Sequence, residues 1–168
     1  APFEHAKLRM LNGTHSALAY LGYLAGHETI VDTVNDTILA AYIRRLWADE
    51  IIPTLAEPPG MNLAAYASTL FERYANPAIR HRTSQIAMDG SQKLPQRLLG
   101  TLRDRLRDGG SVTLLCHAIA GWMRYVEGTD ERGKPIEIRD PLAVVLAARL
   151  AVAGSAPRDR VQALMSIE

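Results

Sequence analysis

The stretch from Lys7 to Gly26, KLRMLNGTHSALAYLGYLAG, decides the fold class. Its leucines recur at helical spacing and predict one long helix with an apolar stripe. These leucines are Leu8, Leu11, Leu18, Leu21 and Leu24. Gly26 follows the last of them and is a typical stop signal, because glycine tolerates the left-handed conformation that ends many helices.

The rest of the chain continues in the same way, with helical patterns separated by short polar turns. Six further helical stretches are predicted, at residues 32–55, 62–74, 95–108, 112–127, 141–153 and 157–167. Residues Ile136–Ile138 are strand-like but too short to build a sheet. The sequence therefore predicts one all-α domain over residues 1–168, with about seven helices and short connections.

Polar residues at the predicted helix starts indicate where these helices begin. A side-chain oxygen at such a position accepts a hydrogen bond from a backbone N–H that has no partner within the helix. The predicted caps are Asp36, Asn62, Ser111 and Asp140.

The composition bounds the possible functions. The chain has 168 residues, 48% of them hydrophobic, which is enough apolar material for one globular core. Nineteen basic against eighteen acidic residues give a net charge of +1, so the overall charge does not favour nucleic-acid or membrane-surface binding. No apolar run approaches the roughly 20 residues that span a bilayer. The single cysteine, Cys116, excludes an internal disulfide and is compatible with a reducing compartment, so a cytoplasmic location is expected.

Familiar cofactor and metal motifs are absent from the sequence. It contains no G-x-G-x-x-G after a strand and no G-x-x-x-x-G-K-[ST], so it carries no recognisable nucleotide-phosphate loop. It also lacks H-E-x-x-H and C-x-x-C, and none of its five histidines pair at i, i+4 spacing. A bound metal is therefore not expected.

The remaining residues that could carry out chemistry together are Lys7, Asn12 and His15. At about 100° per residue, Asn12 lies about 140° and His15 about 80° around the helix from Lys7, so the three heads can converge on one side. A lysine shielded from water can exchange protons with an alcohol, and an amide and an imidazole can stabilise an alkoxide. The alternative is structural: a solvated Lys7, a capping Asn12 and a packed His15. From residue types alone, that alternative is favoured.

A resemblance changes that balance. KLRMLNGTH resembles the K-x-x-x-x-N-x-x-H signature of the polyol-specific long-chain dehydrogenases, the mannitol dehydrogenase and fructuronate reductase family. Later blocks are also similar to that family, in the same order: Asn76–Arg97 (NPAIRHRTSQIAMDGSQKLPQR), Ala120–Val126 (AGWMRYV) and Ile136–Pro141 (IEIRDP). The likeness covers most of the chain and is strongest to the hexuronate branch, the fructuronate and tagaturonate reductases.

The resemblance implies a two-domain enzyme that uses NAD and no metal. The chain is similar to the helical C-terminal domain, and its partner would be an N-terminal Rossmann-type domain of the same protein, which binds most of the NAD. The chemistry begins within ten residues of Ala1, and no methionine precedes it, so the sequence is expected to be part of a longer protein. NAD or NADP preference and oligomeric state are not encoded here.

The resemblance also assigns roles to individual residues. Lys7 is implied as the general acid/base, and Asn12 and His15 as the groups that bind the reacting oxygen. Because a hexuronate carries a carboxylate, cations in the second block are the expected substrate ligands: Lys93 first, then Arg82 and Arg80. Gln85 stands where an arginine is expected, so that role does not transfer. The alternative for Arg82 is a structural ion pair with Asp89.

Three functional hypotheses follow. The first is an NAD-dependent oxidoreductase that interconverts a ketohexuronate, fructuronate or tagaturonate, and its aldonate. The second is a mannitol or other neutral polyol dehydrogenase. The third is a helical interaction module without chemistry of its own. The isolated chain is expected to be inactive, since the cofactor domain is not part of it.

Overall fold

The computed structural model describes residues 2–167, which form nine helices and no β-strand. Two of the helices are short, α2 (Ile30–Asn35) and α5 (Thr83–Ile86). Three join consecutive segments of different helix type without a break: α1 covers residues 2–24, α3 residues 37–54 and α6 residues 90–107. The others are α4 (Leu63–Tyr74), α7 (Thr113–Tyr125), α8 (Ala143–Val152) and α9 (Pro157–Met165). The predicted all-α class is confirmed.

Helix α1 is the axis of the domain and begins earlier than expected. It starts with Pro2–Ala6, passes through a π-helical segment at Lys7–Gly13 and continues as Thr14–Leu24. Its most deeply buried part is the run from Ala17 to Tyr20, packed against α7. The buried face therefore includes small and aromatic residues that a leucine count does not register.

The π-helical segment exposes two backbone carbonyls of α1 to side chains from other helices. Trp47 Nε1 donates to the Met10 carbonyl oxygen at 3.1 Å, and the Tyr74 hydroxyl donates to the Leu11 carbonyl oxygen at 2.7 Å. Trp47 and Tyr74 belong to α3 and α4. These hydrogen bonds tie the start of α1 to two neighbouring helices.

Two of the predicted caps are confirmed. Asp36 Oδ1 accepts from the Ile38 N–H at 2.9 Å at the start of α3, and Asn62 Oδ1 accepts from the Ala65 N–H at 2.8 Å at the start of α4. Gly26 has φ +90°, a left-handed conformation that suits the predicted stop after α1.

The predicted cap of α7 at Ser111 is wrong. The buried Glu50 carboxylate of α3 accepts from the Leu114 N–H at 3.0 Å and the Leu115 N–H at 2.7 Å, and Ser111 itself donates to Glu50 at 3.0 Å. A residue more than sixty positions away thus satisfies the helix start, which local sequence cannot indicate.

Two predicted helix starts also shift. Helix α6 begins at Gly90 rather than at Pro95, and Pro95 lies inside it at the start of a π-helical segment. Helix α8 begins at Ala143, because Asp140 instead holds a turn by accepting from the Leu142 N–H at 2.9 Å.

None of the helices in residues 2–167 combines the length and apolar character required to cross a bilayer.

Candidate functional site

The π-helical segment changes how Lys7 and Asn12 are related. In a π-helix each N–H bonds the carbonyl five residues earlier, so Lys7 and Asn12 lie one hydrogen-bonded turn apart. They therefore share a helix face, whereas an α-helix would separate them by about 140°. His15 follows Asn12 by three residues, where the helix has become α-helical, and continues that face. The K-x-x-x-x-N-x-x-H spacing thus suits the helix that it occupies.

Asn12 and His15 line a cavity of about 140 Å³, hereafter the imidazole cavity. Its other walls come from α1, α2, α4 and the segment at residues 79–81. They are formed by Leu11, Ile30, Arg73, Tyr74, Ile79 and His81. Lys7 does not line the cavity, and its side chain is exposed.

His15 is held by aromatic contacts but lacks a hydrogen-bond partner within residues 2–167. Its ring stacks on Tyr74, with centroids 5.4 Å apart and planes 26° apart, and lies 5.4 Å from the His81 ring. The His15 Nε2 atom is buried and unpaired. Buried polar groups are nearly always satisfied in native proteins, so this atom is available to a ligand in the cavity.

The electrostatics keep His15 neutral. Burial of the imidazole, followed by electrostatic interactions with His81, Arg97, Arg73 and Lys93, lowers the pKa of His15 to about 4. At neutral pH one ring nitrogen therefore donates and the other accepts. Such a group can hold a carbonyl or hydroxyl oxygen, but at neutral pH it is not a source of protons.

Lys93 lies close enough to contribute to that positive field. Its Nζ donates to the Met88 carbonyl oxygen at 2.6 Å and is 4.0 Å from Asp89 Oδ2. Burial, and then the neighbouring Arg97, lower the pKa of Lys93. Lys93 is thus a partly buried cation only loosely neutralised by a carboxylate.

Helices α1 and α6 approach closely at Gly13. A Cβ added there would lie 2.6 Å from the Arg97 carbonyl oxygen. Arg97 also donates to Ser16 Oγ at 3.1 Å, beside His15. This approach requires glycine between Asn12 and Thr14 and brings the cations of α6 near the imidazole cavity.

The later sequence blocks converge beside this site. A Cβ on Gly90 would lie 2.4 Å from the Tyr20 hydroxyl and 2.6 Å from Trp122 Nε1, so the second and third blocks meet there against α1. The Asp89 N–H donates to the Arg139 carbonyl oxygen at 2.9 Å, and the Ser91 N–H donates to Asp140 at 2.8 Å. These contacts fix the start of α6, and with it Lys93.

Arg80 and Arg82 are not brought together with Asn12 and His15. They line a second cavity, hereafter the guanidinium cavity, of about 460 Å³, with Glu28, Thr29, Val31, Asp32 and Pro77. The suggested Arg82–Asp89 ion pair is wrong, since the carboxylate near Arg82 is that of Glu28, at 4.0 Å. Residues 79–82 alternate, with Ile79 and His81 at one cavity and the arginines at the other. A role for Arg80 and Arg82 as substrate ligands remains a prediction.

Comparison with known proteins identifies the family. The model of the mannitol dehydrogenase C-terminal domain matches residues 1–168. The chain belongs to this family. A D-mannonate oxidoreductase from Escherichia coli is 52% identical over 166 residues, which are 99% of this chain and 34% of the relative. A mannitol dehydrogenase from Saccharomyces cerevisiae is 42% identical over 167 residues, 99% of this chain and 32% of the relative.

A solved structure agrees with these sequence relationships. Pseudomonas fluorescens mannitol 2-dehydrogenase, in a ternary complex with NAD and D-mannitol, matches with a TM-score of 0.92 and 34% identity. The match covers 99% of this chain and 33% of that structure. This mannitol dehydrogenase C-terminal domain therefore spans about a third of the length of the relatives that it matches.

Sequence reasoning did not single out several residues that surround His15. Arg73, Tyr74 and His81 line the imidazole cavity, and Arg97 lies behind it. His81 and Arg97 fall inside the second family block, but their types alone did not distinguish them from Arg80 and Arg82. Arg73 and Tyr74 precede that block, and no local pattern separates them from the surface of α4.

Proposed function

We propose that this domain supplies the substrate side of the active site in an NAD-dependent oxidoreductase that interconverts a ketohexuronate and its aldonate. Fructuronate and tagaturonate are the proposed keto substrates. The observation that carries the proposal is the imidazole cavity. It has a buried unpaired His15 Nε2, no acidic lining residue within residues 2–167, Arg73 in one wall, and Arg97 and Lys93 close enough to act on His15. The similarity to a D-mannonate oxidoreductase supports the same substrate class.

The proposed chemistry divides the work among three residues of α1. Asn12 and the neutral His15 donate hydrogen bonds to the reacting oxygen and stabilise negative charge as it develops there. In reduction, Lys7 gives a proton to that oxygen, and in oxidation it takes the proton from the substrate hydroxyl. The shared face of Lys7 and Asn12 supports this division, since both can then address one oxygen.

NAD supplies the hydride acceptor or donor for the substrate carbon when it is bound. Residues 2–167 include no strand followed by a glycine-rich turn and a helix, which is the usual cradle for a pyrophosphate. We therefore assign no cofactor-binding residue in this chain. NAD would be held mainly by a Rossmann-type domain of the same protein.

Lys93 is the proposed substrate-binding cation, with Arg82 and Arg80 as the weaker candidates. Lys93 is partly buried and ordered by the Met88 carbonyl, so little side-chain freedom is lost when it binds a sugar oxygen. Arg82 and Arg80 belong to the guanidinium cavity and are mostly solvent-exposed.

Replacing Lys7 tests the mechanism. Lys7→Ala in the full-length protein is expected to lower kcat by about 10²–10⁴-fold, because proton transfer loses its positioned group. NADH oxidation with fructuronate as substrate measures the effect. Lys134→Ala, an exposed lysine in the loop before Ile136, is the control. Near wild-type kcat in Lys7→Ala would disprove the acid/base assignment.

A neutral polyol is the second candidate substrate, favoured by the match to a mannitol 2-dehydrogenase complex that contains D-mannitol. Measuring kcat/KM of the full-length protein for fructuronate, tagaturonate and fructose separates the two. We expect the two hexuronates to be preferred. A higher value for fructose would replace the hexuronate proposal with the polyol dehydrogenase.

The domain alone is expected to show no dehydrogenase activity and to act only as a docking partner. Phe3 is 49% exposed and lies one turn before the exposed Lys7, so an apolar group accompanies the catalytic lysine at the surface. NADH oxidation by residues 1–168 without any other domain would contradict this expectation.

A further inference from the structure

Arg73 is the guanidinium that lines the imidazole cavity. It is in the last turn of α4, directly before Tyr74, whose ring stacks on His15. No other arginine or lysine is among the residues that line this cavity. Arg73 therefore offers a fixed positive charge, in the cavity that also holds Asn12 and His15.

The backbone that carries Arg73 is fixed relative to helix α1. The Tyr74 hydroxyl donates to the Leu11 carbonyl oxygen at 2.7 Å and lies 3.0 Å from Thr14 Oγ1. Tyr74 also stacks on Trp47, with ring centroids 6.3 Å apart. Because Tyr74 is anchored on both sides, the adjacent Arg73 is presented to the cavity from a rigid wall.

The guanidinium of Arg73 has no protein partner within residues 2–167. It takes part in none of the ion pairs or side-chain hydrogen bonds of that part of the chain, whereas Arg9 binds Asp104 at 2.6 Å and Arg97 binds Ser16 at 3.1 Å. Among the described residues, no carboxylate lines the cavity to neutralise it. A carboxylate from a ligand would supply the missing anion and match the planar fork of an arginine.

We propose that Arg73 binds the carboxylate of an acidic sugar whose reacting oxygen lies at Asn12 and His15. His81 lies on the adjacent wall, where its imidazole can donate to the same carboxylate or to a neighbouring hydroxyl. This inference rests on the proposed function and names the residue that selects a charged substrate over a neutral one. It also replaces Arg80 and Arg82, which face the guanidinium cavity, as the principal guanidinium contact.

The segment that carries His81 is held in place as firmly as Tyr74. The Ile30 N–H donates to the His81 carbonyl oxygen at 2.9 Å, and the Thr83 N–H donates to the Glu28 carbonyl oxygen at 3.0 Å. These two bonds clamp residues 81–83 to the start of α2. The walls carrying Arg73 and His81 are therefore both fixed around the space that the carboxylate would occupy.

The test is a change of specificity in the full-length protein. Arg73→Leu is expected to lower kcat/KM for fructuronate by about 10- to 100-fold, the range for a lost charge-assisted hydrogen bond. Fructose, which has no carboxylate, is expected to change by less than about threefold. Arg73→Lys keeps the charge but not the fork, so part of the fructuronate activity should return.

Arg149→Leu is the matched control, because Arg149 also lies in the last turn of a helix, is exposed and lines neither of the two cavities. It should leave the fructuronate-to-fructose ratio of kcat/KM unchanged. An Arg73→Leu enzyme with an unchanged ratio, or with equal losses on both sugars, overturns the proposal. If Arg80→Leu loses the preference for fructuronate and Arg73→Leu keeps it, the carboxylate contact belongs to Arg80 in the guanidinium cavity.

The wild-type enzyme separates this proposal from the broader one. If wild-type prefers fructose but Arg73→Leu still loses fructuronate activity selectively, the ketohexuronate assignment fails while the Arg73 contact stands. If wild-type prefers fructuronate and Arg73→Leu keeps that preference, only the Arg73 contact fails. If wild-type does not reduce fructuronate at all, both fail. Thermal unfolding of each variant verifies that it is folded.

Discussion

The imidazole cavity and the guanidinium cavity lie on opposite sides of residues 79–82, yet they are built differently. The imidazole cavity is smaller, about 140 Å³ against about 460 Å³, and none of its walls formed by residues 2–167 is acidic. The guanidinium cavity combines Arg80 and Arg82 with Glu28 and Asp32, so its charges offset one another. In the imidazole cavity, the positive charge of Arg73 accompanies a buried, unpaired imidazole nitrogen.

On our proposal, the number of arginines does not by itself identify the substrate site. The guanidinium cavity has two of them, but its walls also carry the carboxylates of Glu28 and Asp32. Arg73 is exposed like Arg80 and Arg82, but it lies beside a buried imidazole, with no neutralising carboxylate among the walls formed by residues 2–167, and is better prepared for an anion. The presence or absence of neutralising carboxylates, and not the exposure of the arginines, distinguishes the two cavities.

Of the changes that test this comparison, replacing His15 is expected to have the largest effect on activity. His15→Ala in the full-length protein is expected to lower kcat by about 10²–10³-fold, as when one donor to a developing oxyanion is lost. His15→Gln keeps a donor and should recover part of that loss. Steady-state NADH oxidation measures both variants. If Arg82→Ala lowers kcat as much as His15→Ala, the reacting oxygen is not bound in the imidazole cavity.

The close approach at Gly13 gives the next largest effect. Gly13→Ala places a Cβ 2.6 Å from the Arg97 carbonyl oxygen, so α1 and α6 must separate. We expect the free energy of unfolding to fall by about 1–3 kcal/mol. Urea unfolding measures this value.

Gly100→Ala is the matched control for that measurement. Gly100 is also helical, but its nearest backbone contact, the Pro95 carbonyl oxygen, would be 3.5 Å from an added Cβ. This variant should be neutral or up to about 1 kcal/mol more stable, because alanine is the better helix former. Equal effects at both positions would show that the close approach of α1 and α6 at Gly13 does not limit stability.

The neutral His15 makes stability depend on pH. Its pKa is about 4 in the folded protein against 6.5 for an ordinary histidine, so between these values the unfolded chain binds the extra proton. The free energy of unfolding should therefore fall as pH drops from about 6.5 to about 4. Urea unfolding at several pH values measures the slope, and His15→Gln should reduce it. His5→Gln, at an exposed position, should leave it in place.

The smallest expected effects come from the guanidinium cavity. Arg80→Leu and Arg82→Leu are each expected to change kcat/KM by less than about threefold, because neither arginine lines the imidazole cavity and carboxylates line their own cavity. The same NADH assay applies, with both hexuronates as substrates. A tenfold loss in either variant would restore these arginines as principal substrate ligands.

The fold was largely predictable, because local signals were strong. The leucine spacing of α1 and the caps at Asp36 and Asn62 act over a few residues, and the structure agrees with them. The start of α7 was not predictable, since its cap, Glu50, comes from another helix. The inclusion of Pro95 within α6 was not predicted, because a proline is typical of a helix start. Pro95 fits inside the helix because it lies at the start of a π-helical segment, where its missing N–H is tolerated.

The candidate site was predictable only in part. The residue types and spacing of Lys7, Asn12 and His15 identified one helix, and the family resemblance gave them roles. Arg73 was missed because its position in the imidazole cavity depends on how α4 packs against α1 through Tyr74. Arg80 was named as a substrate ligand because the sequence does not reveal that residues 79–82 alternate between two cavities.

The π-helical segment from Lys7 to Gly13 also lets α1 hold an extra residue without changing which side its earlier residues face. A π-helical turn holds one residue more than an α-helical turn, so loss of one residue between Lys7 and Asn12 would favour an ordinary α-helix and leave Phe3 and Lys7 close to their present face. Lys7 and Asn12 would then be four residues apart, which is again one helical turn. Within this family, the segment should therefore tolerate the loss of one residue between these two positions better than the gain of one.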